Sequence, residues 1–446
     1  MDILRGIVGM TAILLIVISF SKNKKAINWK LVGGGLGLQF VLAIFILKGS
    51  ELASIWAPLG WPKVFFSWVS SFFVIVLDFT TEGAEFIFGD LARSPGMEDS
   101  LGHFFAFQVL PTIIFFASLT TILYHYGILQ RVVKFMAIGM QKLLGTSGAE
   151  SLSVISNIFV GQTEAPLVVK PYIKNMTQSE LLAVMTGGMA TIAGGVMAAY
   201  VQMLGNSYSL AQGVELDVGR QMFAEQLLGA SLMAAPAALV IAKILYPETE
   251  TPETMGEDKE IDVSIEIKDA NGIDAAASGA AVGMKLAANV GAMLLAFIAL
   301  LAMGNYFLAY FGDISGINSL IPDSDLTIET ILGWTLAPMA FIVGVPWVDA
   351  VNLGSLLGTK VVLNEFVAYL QLADMVQANM LTPKTITMAT FALCGFANFS
   401  SIAIQIGGIG GIAPNRKSDL AKFGLLAVLA GTLANLMTAT IAGMLF

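Results

Sequence analysis

Charge is scarce in this chain. Only 12% of its 446 residues are Asp, Glu, Lys or Arg, against about 25% in an ordinary soluble domain. So few charges cannot coat the surface of a chain this long. That excludes a soluble globular enzyme, a disordered protein and a nucleic-acid binder. Cysteine is nearly absent, and the single Cys394 forbids an intramolecular disulfide. Two histidines, His103 and His125, leave little material for a zinc site or a histidine relay. There is no Ser/His/Asp set, no cluster of metal ligands and no Asp-rich prenyl-phosphate motif. Gly407-Gly408-Ile409-Gly410-Gly411 lacks the Lys-Ser/Thr of a phosphate loop, so nothing points to ATP. What is abundant is apolar: 56% of residues are hydrophobic and the mean hydropathy is +0.78. This is the composition of an all-α polytopic membrane protein whose surroundings are a lipid bilayer.

A membrane-crossing helix needs about 20 mainly apolar residues. Residues 3–21, 30–48, 103–125, 223–245, 284–311 and 419–445 meet that length. Two Gly-rich or more polar stretches, 179–202 and 386–409, complete a set of eight. The first span runs to Phe20 with no small-residue cleavage site and is followed by four lysines, so it reads as an uncleaved helix. Residues 64–77 look too short to cross and end at Asp78, which suits a helix lying in the interface. Residues 128–145 set Arg131, Lys134 and Lys142 against apolar residues at helical spacing, which also suits an interfacial helix. Residues 150–174 and 347–380 are apolar but interrupted by Gly, Pro, Asn and Glu, the pattern of re-entrant hairpins.

Lys and Arg in short loops set orientation. The 22–30 loop carries Lys22, Lys24, Lys25 and Lys30, and the 413–422 loop carries Arg416, Lys417 and Lys422. Both are expected in the cytoplasm. The 49–102 segment holds Glu51, Asp78, Glu82, Glu85, Asp90, Glu98 and Asp99 against Lys63 and Arg93, so it is expected outside. Eight spans then put both termini outside. The hairpin near 150–174 enters from the cytoplasm and the one near 347–380 from outside. Residues 247–278 are the one hydrophilic stretch and read as a flexible cytoplasmic linker. Its segment 248–274 has a net charge of −8 out of the chain's −9. The overall acidity therefore describes a connector and carries no information about substrate charge.

A shift of 205 residues aligns Met176-Thr177 with Leu381-Thr382 and the helix after each. An interrupted acidic hairpin precedes each of these helices. The expected organisation is scaffold helices and an external interfacial segment over 1–102, a first repeat over 103–246, the linker over 247–278, and a second, inverted repeat over 279–446. Inverted repeats with broken helices point to a secondary transporter whose site lies near the bilayer midplane.

A carboxylate at bilayer depth is costly and marks function. Glu164 lies in Gly161-Gln162-Thr163-Glu164-Ala165-Pro166, where Gly161 and Pro166 break the helix and free backbone groups beside polar side chains. Glu365, in Asn364-Glu365-Phe366, occupies the matching place in the second half. A carboxylate that accepts two hydroxyls can hold a sugar; the bland alternative is a structural pair with Lys360. Thr191-Ile192-Ala193-Gly194-Gly195-Val196 invites unwinding, and unwound carbonyls with a hydroxyl suit a hard cation. Its repeat mate, Cys394-Gly395-Phe396-Ala397-Asn398-Phe399-Ser400-Ser401, offers polar groups and two aromatic faces.

The motifs Gly-Gln-Thr-Glu-Ala-Pro-Leu at 161–167, Asn-Glu-Phe-Val-Ala-Tyr at 364–369 and Cys-Gly-Phe-Ala-Asn-Phe-Ser-Ser at 394–401 resemble those of the concentrative nucleoside transporter family. The resemblance covers nearly the whole chain. It implies eight spans with two re-entrant hairpins, a homotrimer in the inner (cytoplasmic) membrane, and import of nucleosides such as uridine by an elevator-like motion. It implies no enzymatic activity and no cofactor beyond a coupling ion. By that resemblance Gln162, Thr163 and Glu164 hold the nucleobase with Val196 beside it. Glu365, Asn398 and Ser401 bind the ribose, and Phe396 lines the site. Sodium would lie between the first hairpin tip and the unwound helix, on the side chains of Asn157 and Thr191 and the carbonyls of Val160, Thr191 and Ile192. Because Asn157 and Thr191 are both present, sodium is favoured over protons. A passive channel or facilitator is the reading from a different class.

Overall fold

The computed structural model describes residues 2–95, 97, 99–256, 269–321 and 325–446. Glu98 and residues 257–268 of the acidic stretch lie outside the described residues. The described chain is built from helices and contains no strand. Helices α1 (Asp2–Ser19) and α2 (Trp29–Leu47) lead into the short α3 (Gly49–Ile55) and the long α4 (Trp61–Phe88). A single turn, α5 (Phe105–Gln108), abuts α6 (Leu110–His125), and the amphipathic α7 (Ile128–Leu144) follows. The first interrupted hairpin has α8 (Gly148–Ser156) as one arm and a 3-10 turn with α9 (Lys170–Ile173) as the other. Then come α10 (Gln178–Ala190), α11 (Gly194–Gln212) and α12 (Leu216–Leu245). The second half begins with α13 (Gly272–Ser315) and α14 (Ile328–Ile342). Its hairpin is α15 (Trp347–Val362) and α16 (Glu365–Gln377), followed by α17 (Pro383–Leu393), α18 (Phe399–Ile412) and α19 (Lys417–Leu445). Hairpin, broken helix and long helix thus recur in the same order in both halves.

Among the described residues, eight stretches of helix are long and apolar enough to cross a membrane. Their membership differs from expectation in one place. Residues 64–77 are part of the 28-residue α4, which does have crossing length. The helix runs past Asp78 because Arg220 on α12 donates to that carboxylate at 3.2 Å. Residues 386–409 are instead two short helices, because the chain leaves the helical path between Cys394 and Asn398. Two further boundaries were not legible beforehand. The long α13 starts at Gly272, inside the stretch read as linker, with Asn271 capping the backbone N–H groups of Ile273 and Asp274. Helix α14 was not expected, and it meets α15 at 119°. Gly354 permits that crossing, since a Cβ there would lie 2.6 Å from the Gly333 carbonyl.

Burial divides the helices into two classes. In α10–α11, α12 and α19 between 78% and 89% of the apolar stretch is buried, against 22–33% in α1, α2, α4, α6 and α13. The first group is the core that carries the hairpins; the second presents apolar side chains outward, as lipid contact requires. Helix α13 docks on α6 along a stripe of small residues, Ala275, Gly279, Gly283 and Ala287. A Cβ on Gly283 would come within 2.7 Å of the Ile114 backbone, so the glycine sets how closely these backbones approach.

The internal repeat appears in the capping chemistry. Thr177 caps α10 and Thr382, 205 residues on, caps α17. Glu180 completes a capping box in the first half. In the second half Asp349 supplies the carboxylate, accepting from both Thr382 Oγ1 and Thr385 Oγ1 at 2.6 Å. The start of the acidic stretch is anchored rather than solvated throughout. Buried Lys243 pairs with Glu150 at 2.7 Å and with Glu248 at 3.2 Å. Thr254 receives the N–H of Ala149 at 3.0 Å. Lys22 bonds the Leu245 carbonyl through its backbone, and Arg416 donates to the Met176 carbonyl. The two basic loops and the start of the acidic stretch therefore gather at one end of the molecule.

Candidate functional site

Three helices begin beside one cavity. Helix α11 starts at Gly194, α16 at Glu365 and α18 at Phe399. Their first N–H groups lack partners within the helix, and the positive ends of their dipoles favour electronegative groups there. The cavity encloses about 160 Å³. Gln162, Thr163, Glu164, Val196, Glu365, Phe396, Asn398 and Ser401, all eight residues expected around a substrate, line it. They come from both hairpins and both broken helices. Phe399, the other aromatic of its motif, does not line the cavity and is exposed.

The two carboxylates differ in environment. Glu365 is 6% exposed. Tyr200 donates its hydroxyl to one carboxylate oxygen at 3.2 Å, and Asn398 Nδ2 donates to the other at 2.8 Å. A carboxylate has about four acceptor positions, so acceptor capacity remains for a ligand. Lys360 is not hydrogen-bonded to it and acts on it only through charge at longer range. That ammonium bonds the carbonyls of Ala392 and Cys394 and the Asn435 amide oxygen instead. Glu164 has an exposed side chain that folds back over Gly161 at the cavity edge. The sequence made the two acids look alike, and the structure gives only one of them an enclosed setting.

The amides are pre-positioned. Asn398 caps α18, accepting from Ser401 N at 2.9 Å and from Ser400 Oγ at 2.7 Å. Gln162 donates to Ser401 Oγ at 3.0 Å and accepts from Gln405 Nε2 at 3.1 Å. Gln405 is tied to the Met185 carbonyl at 3.0 Å. This chain fixes the Gln162 amide plane, and the Ser401 hydroxyl keeps its own proton to donate.

The expected ion-binding residues lie where the first hairpin meets the first helix break. The Gly194 N–H donates to the Phe159 carbonyl at 3.2 Å, joining the two. Asn157 is buried, and its Oδ1 lies near Gly188 of α10. The Thr191 hydroxyl spends its proton on the Gly187 carbonyl at 2.9 Å, which leaves its lone pairs as acceptors. The carbonyls of Val160 and Ile192 lose their helical partners, since Glu164 N bonds Gly161 O and Val196 N bonds Ala193 O. Neutral oxygens of this kind suit sodium, a hard cation.

Comparison with known proteins places this geometry. Family models described as the N-terminus and C-terminus of Na+ dependent nucleoside transporters match residues 8–91 and 226–443, and one described as nucleoside recognition matches 106–207. The chain is 42% identical to a nucleoside permease of Helicobacter pylori, over 98% of this chain and 97% of that one. The chain belongs to the concentrative nucleoside transporter family. It is also 38% identical to sodium/nucleoside cotransporter 1 of Mus musculus, over 98% of this chain and 63% of that protein. A solved structure of CNTnw in an inward-facing substrate-bound state superposes with a TM-score of 0.85 at 42% identity, covering 100% of this chain and 98% of that one. A CNTnw variant in an outward-facing state gives 0.84, with the same identity and coverage. These relatives are transporters, not enzymes.

The transporter has site residues that the sequence did not reveal. Helix α13 supplies one wall through Leu286, Val290, Met293 and Leu294. Their spacing of three and four residues was visible, but nothing local separates a ligand-facing stripe from a lipid-facing one. Tyr200 and Gln405 act through partners at least 165 residues away.

Proposed function

We propose that this protein is a symporter that carries nucleosides such as uridine into the cell on an inward sodium gradient, by an elevator-type movement of the hairpin-bearing core. The observation that carries the reading is the enclosed Glu365 carboxylate, with its free lone pairs, facing the fixed Gln162 amide across one cavity. A ribose diol can donate to the first and a base edge can pair with the second. Phe396 and Val196 supply the apolar wall. The ion would sit on Asn157, Val160, Thr191 and Ile192, beside the hairpin tip that presents Gln162 and Glu164. Ordering that tip before substrate arrives would couple ion to nucleoside through preorganisation. A neutral nucleoside gains nothing from the membrane potential, whereas a co-transported cation adds about 2.3 kcal/mol per 100 mV. The end that gathers Lys22, Arg416 and the acidic stretch is the cytoplasmic one by its basic loops. The membrane is the cell's inner membrane and the assembly a homotrimer, as in the family resemblance.

The deciding measurement is uridine uptake into proteoliposomes with and without an inward sodium gradient. Accumulation that needs sodium supports the proposal. Accumulation driven by a pH gradient alone replaces the ion, and equilibration without accumulation makes the protein a facilitator.

The residue assignment has its own test. Gln162→Ala is expected to weaken uridine binding about tenfold, the worth of one or two neutral hydrogen bonds. It should also compress the ranking among uridine, cytidine and adenosine. An unchanged ranking in competition uptake would remove Gln162 from base recognition.

A further inference from the structure

Lys360 is fully buried, and the described residues include no acid within ion-pair distance of it. Its three hydrogen-bond partners are neutral oxygens, the Ala392 carbonyl at 3.0 Å, the Cys394 carbonyl at 3.2 Å and Asn435 Oδ1 at 2.8 Å, and Glu365 acts on it only through charge from beyond ion-pair distance. Ala392 and Cys394 lie at the C-terminal end of α17, where the chain leaves the helix. Such an end presents unpaired carbonyls and the negative end of a dipole, and it attracts a cation. The equivalent end in the first half is the terminus of α10 at Ala190 and Thr191, against the first hairpin. Asn435 on α19 bridges the two. Its Nδ2 donates to the Ala190 carbonyl at 2.7 Å while its Oδ1 accepts from Lys360. The first half has neutral Asn157 after its hairpin's first arm, and the second half has Lys360 within the last turn of its own first arm.

We propose that Lys360 is a tethered cation that fills, in the second repeat, the position for which the first repeat takes a free ion. The comparison between halves rests on the sodium position proposed above. The role of Lys360 itself stands on its own contacts. By neutralising the open end of α17 it keeps the Cys394–Asn398 break in shape. That break sets the Asn398 cap, and through it the carboxylate of Glu365. Lys360 is a positioning residue and does not touch the cavity.

The test uses the full-length purified protein, with melting temperature and uridine affinity as readouts. Lys360→Ala removes the ammonium and leaves room for a small ion. It should lower the melting temperature by on the order of 5 °C and weaken uridine binding. Ammonium chloride should restore most of both losses, and choline chloride at equal ionic strength should restore neither. If Lys360→Ala folds only when prepared in ammonium, the proposal is likewise supported. Lys360→Met fills the space without charge, so it should bind uridine weakly and ignore ammonium. Wild-type affinity in Lys360→Met would overturn the proposal, as would a Lys360→Ala deficit equal in ammonium and choline, or failure to fold in both. Sodium dependence of the wild-type protein is read separately. Its absence would count against the sodium site while leaving the ammonium result to decide on Lys360.

Discussion

Glu365→Gln is expected to cost the protein at least 100-fold in uridine affinity while leaving it folded. The size follows from the bonds at stake. Hydrogen bonds to a charged group contribute about 1.5–3 kcal/mol each, and two ribose hydroxyls can reach the free lone pairs. Glutamine removes one acceptor oxygen and leaves the other neutral, so one bond is lost and the other weakened, about 3–4 kcal/mol in all at 1.4 kcal/mol per factor of ten. Stability should hold because no described residue lies within ion-pair distance of Glu365: Lys360 acts on it only through charge at longer range and is itself bonded to carbonyls and Asn435. Glutamine keeps the volume, and an uncharged amide is cheaper to bury than a carboxylate. Glu365→Ala is the harsher change, since it strands the Tyr200 hydroxyl and the Asn398 amide in a buried site. The discriminating ligand is 2′,3′-dideoxyuridine. Wild type should reject it strongly relative to uridine, whereas Glu365→Gln should discriminate between the two far less. If calorimetry finds the dideoxy penalty intact in Glu365→Gln, the ribose is recognised elsewhere and the site must be redrawn.

Which parts of this molecule were legible in its sequence depends on the range of the interaction involved. Apolar runs of crossing length are local, and seven of the eight expected spans coincide with long helices. The repeat was visible because Thr177 and Thr382 do the same local work as helix caps. The polar motifs were visible because glycine, proline and carboxylate are rare together in an apolar chain. What stayed hidden depends on distant partners. Asp78 looked like a helix end, and only Arg220, 142 residues away, lets α4 continue past it. Glu164 and Glu365 have similar neighbours in sequence, yet one is exposed and the other enclosed by Tyr200 and Asn398. Lys360 looked like a partner for Glu365 because it is five residues away. The helix break at Cys394, which comes later in the chain, takes it instead.

Gly395→Ala is expected to be among the most damaging single-methyl additions in the protein. Gly395 has φ +102°, a conformation that L side chains rarely adopt. Holding a non-glycine residue in such a region costs about 1–3 kcal/mol. Space makes the cost larger. A Cβ at 395 would lie 2.5 Å from the Ala190 carbonyl carbon and from the Met189 oxygen, and 2.6 Å from the Ala190 oxygen. Those atoms are backbone at the end of α10, held by Asn435 through the same Ala190 oxygen. They cannot rotate aside, so the two helix breaks must separate, and overpacking of this kind adds about 1–3 kcal/mol. Separation would disturb Thr191 on one side and the Cys394 carbonyl and Asn398 on the other. The variant should therefore lose uridine affinity and sodium dependence together, along with melting temperature. Gly407→Ala is the matched control, since it lies within helix α18 with nothing within 4 Å of its added Cβ. That change should leave uptake alone and stabilise slightly, as alanine does in a helix interior. A Gly395→Ala protein with wild-type melting temperature and uptake would mean that the two breaks are not in rigid contact, and would refute the idea that ion and nucleoside positions communicate through them.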